Sequence, residues 1–158
     1  METIYIETPL GIARLEGDDA GIVSVSVLDT INKAPTKVCS ESLQKAANQL
    51  QEYFDGKRQT FDLRLNPQGT AFQKRVWQAL SSIPFGKTIS YLELSKILGD
   101  VKAIRAVAAA NGKNPLWVIV PCHRVIGSDG SLTGYAGGLH RKKWLIDHEN
   151  PVKQQTLF

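Results

Sequence analysis

Residues 90–112 read SYLELSKILGDVKAIRAVAAANG, and the organisation of the C-terminal half turns on them. Ser90 stands three residues before Glu93, the spacing of a capping box, so YLELSKIL is predicted to be a helix opened by Ser90. Gly99 ends it. VKAIRAVAAA reads as a second short helix that closes near Asn111 and Gly112. Two short helices joined by a glycine turn make a helix-turn-helix pattern. The second helix has a thin surface, with alanine at 103, 106, 108, 109 and 110. Thin helices pack closely, either on another helix or, in a helix-turn-helix, on a nucleic-acid backbone. Arg105 is a long cation set among these alanines: a plain surface arginine, or a group that reaches for a ligand.

Downstream, the apolar run LWVIV (116–120) predicts a buried strand, stopped by Pro121. Cys122, His123 and Arg124 follow at once. A thiol becomes a good nucleophile when its pKa is lowered, which a nearby imidazole or guanidinium does. Side chains adjacent along a strand point to opposite faces, so Cys122 and His123 meet only if the backbone turns at Pro121–Cys122. Asp147 or Glu149 could supply the carboxylate that orients the histidine. The plain alternative is a cysteine packed as a small hydrophobe, a reading that suits Cys39 better. Zinc competes for the same residues, but the chain has no C-x-x-C or H-x-x-x-H spacing. A glycine-rich loop, GSDGSLTGYAGG (127–138), comes next. Its Gly134–Gly138 stretch would let backbone approach a flat ligand, or is only a flexible turn. LHRKKWLIDHE (139–149) is predicted to be the last helix, and residues 151–158 a loose tail.

Upstream, Thr70 and Gln73 repeat the capping-box spacing. Phe72, Val76, Leu80 and Ile83 would line one face of the helix that follows, ended by Pro84-Phe85-Gly86. Residues 67–69, within NPQG, read as a linker. Before them, TIYIET, IARLEG and IVSVSVL alternate with period two, the mark of strands with one buried face. Pro9-Leu10-Gly11 and Asp18–Gly21 are the turns. SESLQKAANQLQEYFDG is a helix with Leu43, Ala46, Leu50 and Phe54 on one face and Gly56 as cap, and FDLRL (61–65) a further strand. The prediction is an α+β protein. A small N-terminal domain (1–66) holds an antiparallel sheet and a helix in a supporting role. A mainly helical domain (70–150) carries a winged-helix-like helix-turn-helix.

Composition narrows the function. An apolar fraction of 42% is ordinary for a globular chain. No apolar run approaches the roughly 20 residues that span a bilayer, and METIYIETPLG lacks the basic start of a signal peptide. Two cysteines make no disulfide framework and fit a reducing compartment such as the cytoplasm. Residues 1–69 hold 7 Lys/Arg and 10 Asp/Glu, a net of −3, whereas residues 70–158 hold 12 and 5, a net of +7. That asymmetry suits an anionic partner such as nucleic acid. In that reading Lys96, Lys102, Lys113 and the trio Arg141-Lys142-Lys143 contact phosphates. Otherwise they are a solvated surface.

Six pieces, PCHRV (121–125), NP (114–115), SYLEL (90–94), AIRAV (103–107), GYAGG (134–138) and HE (148–149), together resemble the O6-alkylguanine-DNA alkyltransferases. These are also called methylated-DNA–protein-cysteine methyltransferases. The resemblance is close over 70–150 and general before it. It implies transfer of an alkyl group from O6-alkylguanine, with O4-alkylthymine as a second lesion, in double-stranded DNA to the protein's own cysteine. The protein would act once, as a monomer. Cys122 would be the acceptor thiolate, His123 would take its proton through an ordered water, and Glu149 would hold the histidine. Asn114 would brace the turn, and Tyr91 would donate a proton or hydrogen bond to the departing base. Arg105 would fill the space of a base flipped through the minor groove, with Lys102, Ala106, Ala109 and Arg124 also on the DNA-binding side. Main-chain carbonyls of Cys122 and Val125, and amides near Tyr135 and Ala136, would recognise the base. Some relatives have serine where Ala136 stands, so a hydroxyl contact is lost here. Zinc found in some relatives needs N-terminal Cys and His ligands. This half has one cysteine and no histidine, so no metal or other cofactor is expected. The rival readings are a cysteine hydrolase built on Cys122 and His123, and a non-catalytic module that binds damaged bases.

Overall fold

A computed structural model describes residues 1–28, 40–132, 135 and 137–150. Cys39, Gly134, Ala136 and the 151–158 tail lie outside the described residues. The chain divides into two compact units, one of Met1–Gln68 with Pro115–Ile119, the other of Gly69–Asn114 with Val120 onward.

In the first unit the alternating segments are strands β1 (Glu2–Thr8), β2 (Gly11–Asp18) and β3 (Gly21–Leu28), in antiparallel order β1-β2-β3. Ile4 pairs with Leu15 and Leu15 with Val25, and all three are buried on one face. Gly21 turns the chain into β3 at a φ of +138°, and a Cβ there would stand 2.8 Å from the Arg64 carbonyl oxygen, so only glycine fits. Helix α1 (Glu41–Phe54) is capped by Ser40 and packs across the sheet. Leu43, Ala46 and Leu50, the predicted stripe, are fully buried. Each such leucine contributes about 1.5–3 kcal/mol through the area it removes from water.

Two predicted strands are not there. FDLRL makes one parallel bridge, Leu65 to Ile22. LWVIV makes one, Leu116 to Val25, and then turns: Val118 has a φ of +70° and the Ile119 N–H bonds back to the Trp117 carbonyl at 2.8 Å. All five residues are buried as expected. An apolar run reports burial, and it is silent on whether the backbone is extended.

In the second unit, both predicted capping boxes form with their reciprocal bonds: Thr70 with Gln73 opens α2 (Ala71–Leu80), and Ser90 with Glu93 opens α3 (Tyr91–Ile97). Helix α2 stops before Ile83, which is buried beyond its end. Gly99, at a φ of +86°, makes the turn of the helix-turn-helix. A 3-10 turn (Val101–Ala103) leads into α4 (Ile104–Gly112). Short strands β4 (Ile89–Ser90) and β5 (Val125–Ile126) pair in parallel. Helix α5 (Leu139–Glu149) closes the unit with the predicted bounds. The α+β fold class expected from sequence is what the chain adopts.

Helix α4 explains its alanines. Val107, Ala110 and Asn111 face inward, and the small Ala110 lets Trp77 of α2 donate its indole N–H to the Ala110 carbonyl at 2.8 Å. Lys102, Arg105, Ala106 and Ala109 share the exposed face.

Candidate active site

The chain leaves the second unit at Asn114 and re-enters it at Val120. The Asn114 side-chain amide donates to the Val120 carbonyl at 2.8 Å and so ties exit to return. Immediately after, Cys122–Arg124 form a 3-10 turn. The backbone therefore turns here and does not continue as an extended strand. Three residues of one turn then go to three tasks.

His123 is completely buried, and its Nε2 lies 2.7 Å from Oε2 of Glu149, the last residue of α5. Arg124 donates from Nε to Glu149 Oε1 at 2.7 Å and from its second terminal nitrogen to Oε2 at 3.0 Å. Its remaining nitrogen donates to the Ile83 carbonyl at 2.7 Å, and its guanidinium carbon lies 5.8 Å from the Phe85 ring centre. Arg124 was expected on the DNA-binding side. It is buried and fully engaged in holding Glu149, so that expectation is corrected. Asp147, the other candidate carboxylate, pairs with exposed Lys143.

Burial alone would raise the Glu149 pKa. The hydrogen bonds and charges of His123 and Arg124 outweigh it and hold the carboxyl at about 2. Glu149 is therefore an acceptor at any ordinary pH, so His123 Nε2 carries the hydrogen. Nδ1 keeps its lone pair, and it is buried with no hydrogen-bond partner among the described groups. Burial also pushes the His123 pKa down, against the pull of Glu149 and with the help of Arg124 and Lys142. A neutral imidazole with one open nitrogen is a base ready for a proton.

The thiol does not behave as its neighbours in sequence suggest. Burial pushes the Cys122 pKa up; Asn114, the Lys142 charge and Tyr135 pull the other way without winning. The resting group is a thiol, and it needs a base to become a nucleophile. The Cys122 carbonyl accepts from the Val125 N–H and, at 3.5 Å, from the buried Asn111 amide. Val125 is buried in β5, and Tyr91 opens α3 half-buried.

Lys142 and Arg141 also differ from expectation. Both are buried and so do not form a phosphate-contacting trio with Lys143, which alone of the three is exposed. Lys142 lies with its Nζ 5.9 Å from the Tyr91 ring centre and 5.9 Å from that of Tyr135. Sequence reading gave Lys142 a phosphate to contact and Asn111 only the end of a helix, and so assigned neither to the site. The signal for Lys142 was its place in the first turn of α5, where the helix dipole disfavours a cation. Lys96, Lys102, Lys113 and Arg105 are exposed as a phosphate-facing set requires. Among the described residues no group of three or more His, Cys, Asp and Glu could hold a metal ion, and no helix is long and apolar enough to cross a membrane.

Comparison with known proteins gives a consistent picture. The DNA binding domain of 6-O-methylguanine DNA methyltransferases matches residues 71–151, and their ribonuclease-like domain matches residues 1–67. A methylated-DNA–protein-cysteine methyltransferase of Methanosarcina barkeri is 45% identical over 150 residues, covering 91% of this chain and 94% of its own. A relative of the same name from Mycolicibacterium paratuberculosis is 42% identical over 158 residues, with 97% and 96% covered. The crystal structure of Mycobacterium tuberculosis OGT in complex with DNA aligns with a TM-score of 0.83 at 39% identity, covering 98% of both chains.

Proposed function

The chain belongs to the methylated-DNA–protein-cysteine methyltransferase family, and from that membership and the site geometry we propose that it repairs DNA by moving the alkyl group of O6-alkylguanine onto Cys122. The observation that carries this reading is the buried His123–Glu149 pair, which leaves His123 Nδ1 as an open base next in sequence to a cysteine.

The chemistry runs in one direction. The Cys122 proton passes to His123 Nδ1, through a bridging water where one is needed, and Glu149 stabilises the imidazolium that results. The thiolate attacks the alkyl carbon in line with the O6–carbon bond. The new S–C bond forms as the C–O bond breaks, and the electron pair leaves with guanine, which takes up a proton. Tyr91 is suited to give that proton or a hydrogen bond. The product is a thioether with no good leaving group, so the protein acts once. The alkylated oxygen lies inside the base stack, so the nucleotide must be extruded, at a cost of a few kcal/mol that a damaged, mispaired base reduces. Arg105, which is exposed on the small-residue face of α4, would fill the gap. The backbone near Val125 and Tyr135 would then edge the base, and Asn114 would hold the turn that presents the sulfur.

Intact-mass measurement after incubation with duplex DNA carrying O6-methylguanine tests this. The protein should gain one methyl group, mapped to Cys122, and stop at one equivalent, and Cys122→Ala should gain none. Repeated turnover, hydrolysis of an ester or peptide by Cys122, or uptake that survives Cys122→Ala would overturn it. A duplex carrying O4-methylthymine, run alongside, reads the second lesion.

A further inference from the structure

Lys142 is a buried cation to which the alkyl-transfer scheme gives no task. It is completely buried in the first turn of α5. Two physical terms oppose a charge there. Burial removes its hydration, and the positive end of the helix dipole repels it. Burial accordingly pushes the Lys142 pKa down, and the charge of Cys122 pulls it back up. The aromatic rings of Tyr91, from α3, and Tyr135, from the loop before α5, each lie 5.9 Å from Nζ. A ring face attracts a cation, more strongly when water is excluded.

The geometry points to Lys142 as a positioning residue for the nucleophile: held by the Tyr91 and Tyr135 rings, its ammonium is the fixed charge that stabilises the Cys122 thiolate when it forms. The other buried basic groups are already committed: Arg141 donates to the Gly137 carbonyl at 2.9 Å. Arg124 and His123 both bond to Glu149. Asn114 and Tyr135 favour the thiolate in the same direction as the Lys142 charge, but neither carries a net charge. Lys142 also disfavours imidazolium on His123, yet there it ranks behind the hydrogen bond and charge of Glu149. Its net effect is to lower the free energy of the thiolate. This inference rests on the reading of Cys122 as acceptor, and it adds a cationic partner to the base that removes the proton.

The test reads the ionisation of Cys122 without DNA. The rate of iodoacetamide labelling at Cys122, located by peptide mass, is followed against pH in the full chain. Lys142→Met should move the midpoint up by about one unit, which is about a tenfold smaller thiolate fraction at neutral pH. Lys142→Arg should recover part of the shift. A folded Lys142→Met protein with an unmoved midpoint overturns the proposal. A second measurement does not alter the lysine. In protein carrying 13C-labelled lysine, the Lys142 Cε titration should fall to lower pH in Cys122→Ser than in the native chain, because the coupling is reciprocal. Equal midpoints overturn the proposal as well. Methyl transfer from DNA, measured in parallel on the native chain, separates the two readings. Unmoved midpoints with intact transfer remove Lys142 alone, and shifted midpoints with no transfer remove the alkyl-transfer reading alone.

Discussion

Helix α4 and the cluster around Glu149 use their cations in opposite ways. On α4, Arg105 sits in solvent together with Lys102, Ala106 and Ala109, and its charge is available to a partner. Around Glu149, Arg124 and His123 are buried and turned inward on one carboxylate. The first arrangement contributes little to the fold and keeps its charge for an anion. The second is part of the fold, and its charges are legible only as a set. The same residue types therefore imply opposite results when they are removed.

The largest effect is expected at Glu149. Glu149→Gln keeps the shape but leaves Arg124 buried without its counter-charge and His123 without its carboxylate acceptor. Breaking a buried ion pair from one side costs about 3–5 kcal/mol, so thermal melting should fall on the order of 10 °C. Methyl transfer should be lost in parallel, because His123 no longer has a fixed tautomer. A melt within 2 °C of the native value, an amount of roughly 1 kcal/mol or less, would mean the carboxylate is not the hub.

The same contrast can be sharpened with pH. Glu149 is held at about 2, below its unfolded value near 4.5. The stabilisation is complete above the unfolded pKa and is lost as pH falls from 4.5 towards 2, roughly 3 kcal/mol in all. His123 works in the same direction. Its pKa is lowered by folding, so protonation as pH falls below the unfolded value near 6.5 also favours the unfolded chain. Urea melts at stepped pH should show stability eroding from about pH 6 downward, and the portion below pH 4.5 should vanish in Glu149→Gln.

How much of this was legible in the sequence follows the same division. Local signals were readable: two capping boxes, the period-two strands and the bounds of α5 depend on near neighbours along the chain. The exposed set Lys102, Arg105, Ala106 and Ala109, on and just before α4, was expected from the family resemblance. Arg124 and Lys142 were not legible. Nothing in a cation's identity says whether its partner is a phosphate outside or a carboxylate and two aromatic rings inside, and those partners lie 25 residues away in Glu149 or on other elements. The LWVIV run failed for a related reason. Its burial was encoded, but the left-handed turn at Val118 was not, because a β-branched residue ordinarily avoids that conformation. The raised thiol pKa was hidden as well. Sequence neighbours argued for lowering, and the burial that decides the sign is a tertiary property.

Arg105→Ala tests the exposed side of the comparison. Its melting temperature should stay within about 0.5 kcal/mol of native in equivalent stability, as for a surface site. Repair of a duplex lesion should slow on the order of tenfold, since the gap left by the flipped base is no longer filled. Reaction with free O6-methylguanine base should be unchanged. Equal losses on duplex and free base would take Arg105 out of the flipping step and place it in the chemistry or the fold.

The smallest effect is expected one residue from the cluster. Lys143 neighbours Lys142 in sequence, but it is exposed and pairs with Asp147 at 2.8 Å one helical turn on. Such a pair contributes about 0.3–0.5 kcal/mol, and salt screens it. Lys143→Ala should therefore move the melt by less than 1 °C at moderate salt, an effect of about 0.3 kcal/mol or less once screened. It should also leave the pH profile of Cys122 labelling where it was. If Lys143 also meets a phosphate, the slope of log affinity against log salt for duplex DNA should shrink by about 0.9. Two lysines adjacent in the chain would then be separated by three independent readouts, with only the exposed one sensed by DNA and only the buried one sensed by sulfur. A Lys143 variant that shifted the thiol midpoint as far as Lys142→Met would show that charge acts on the site through the surface field and that burial has no part in the distinction.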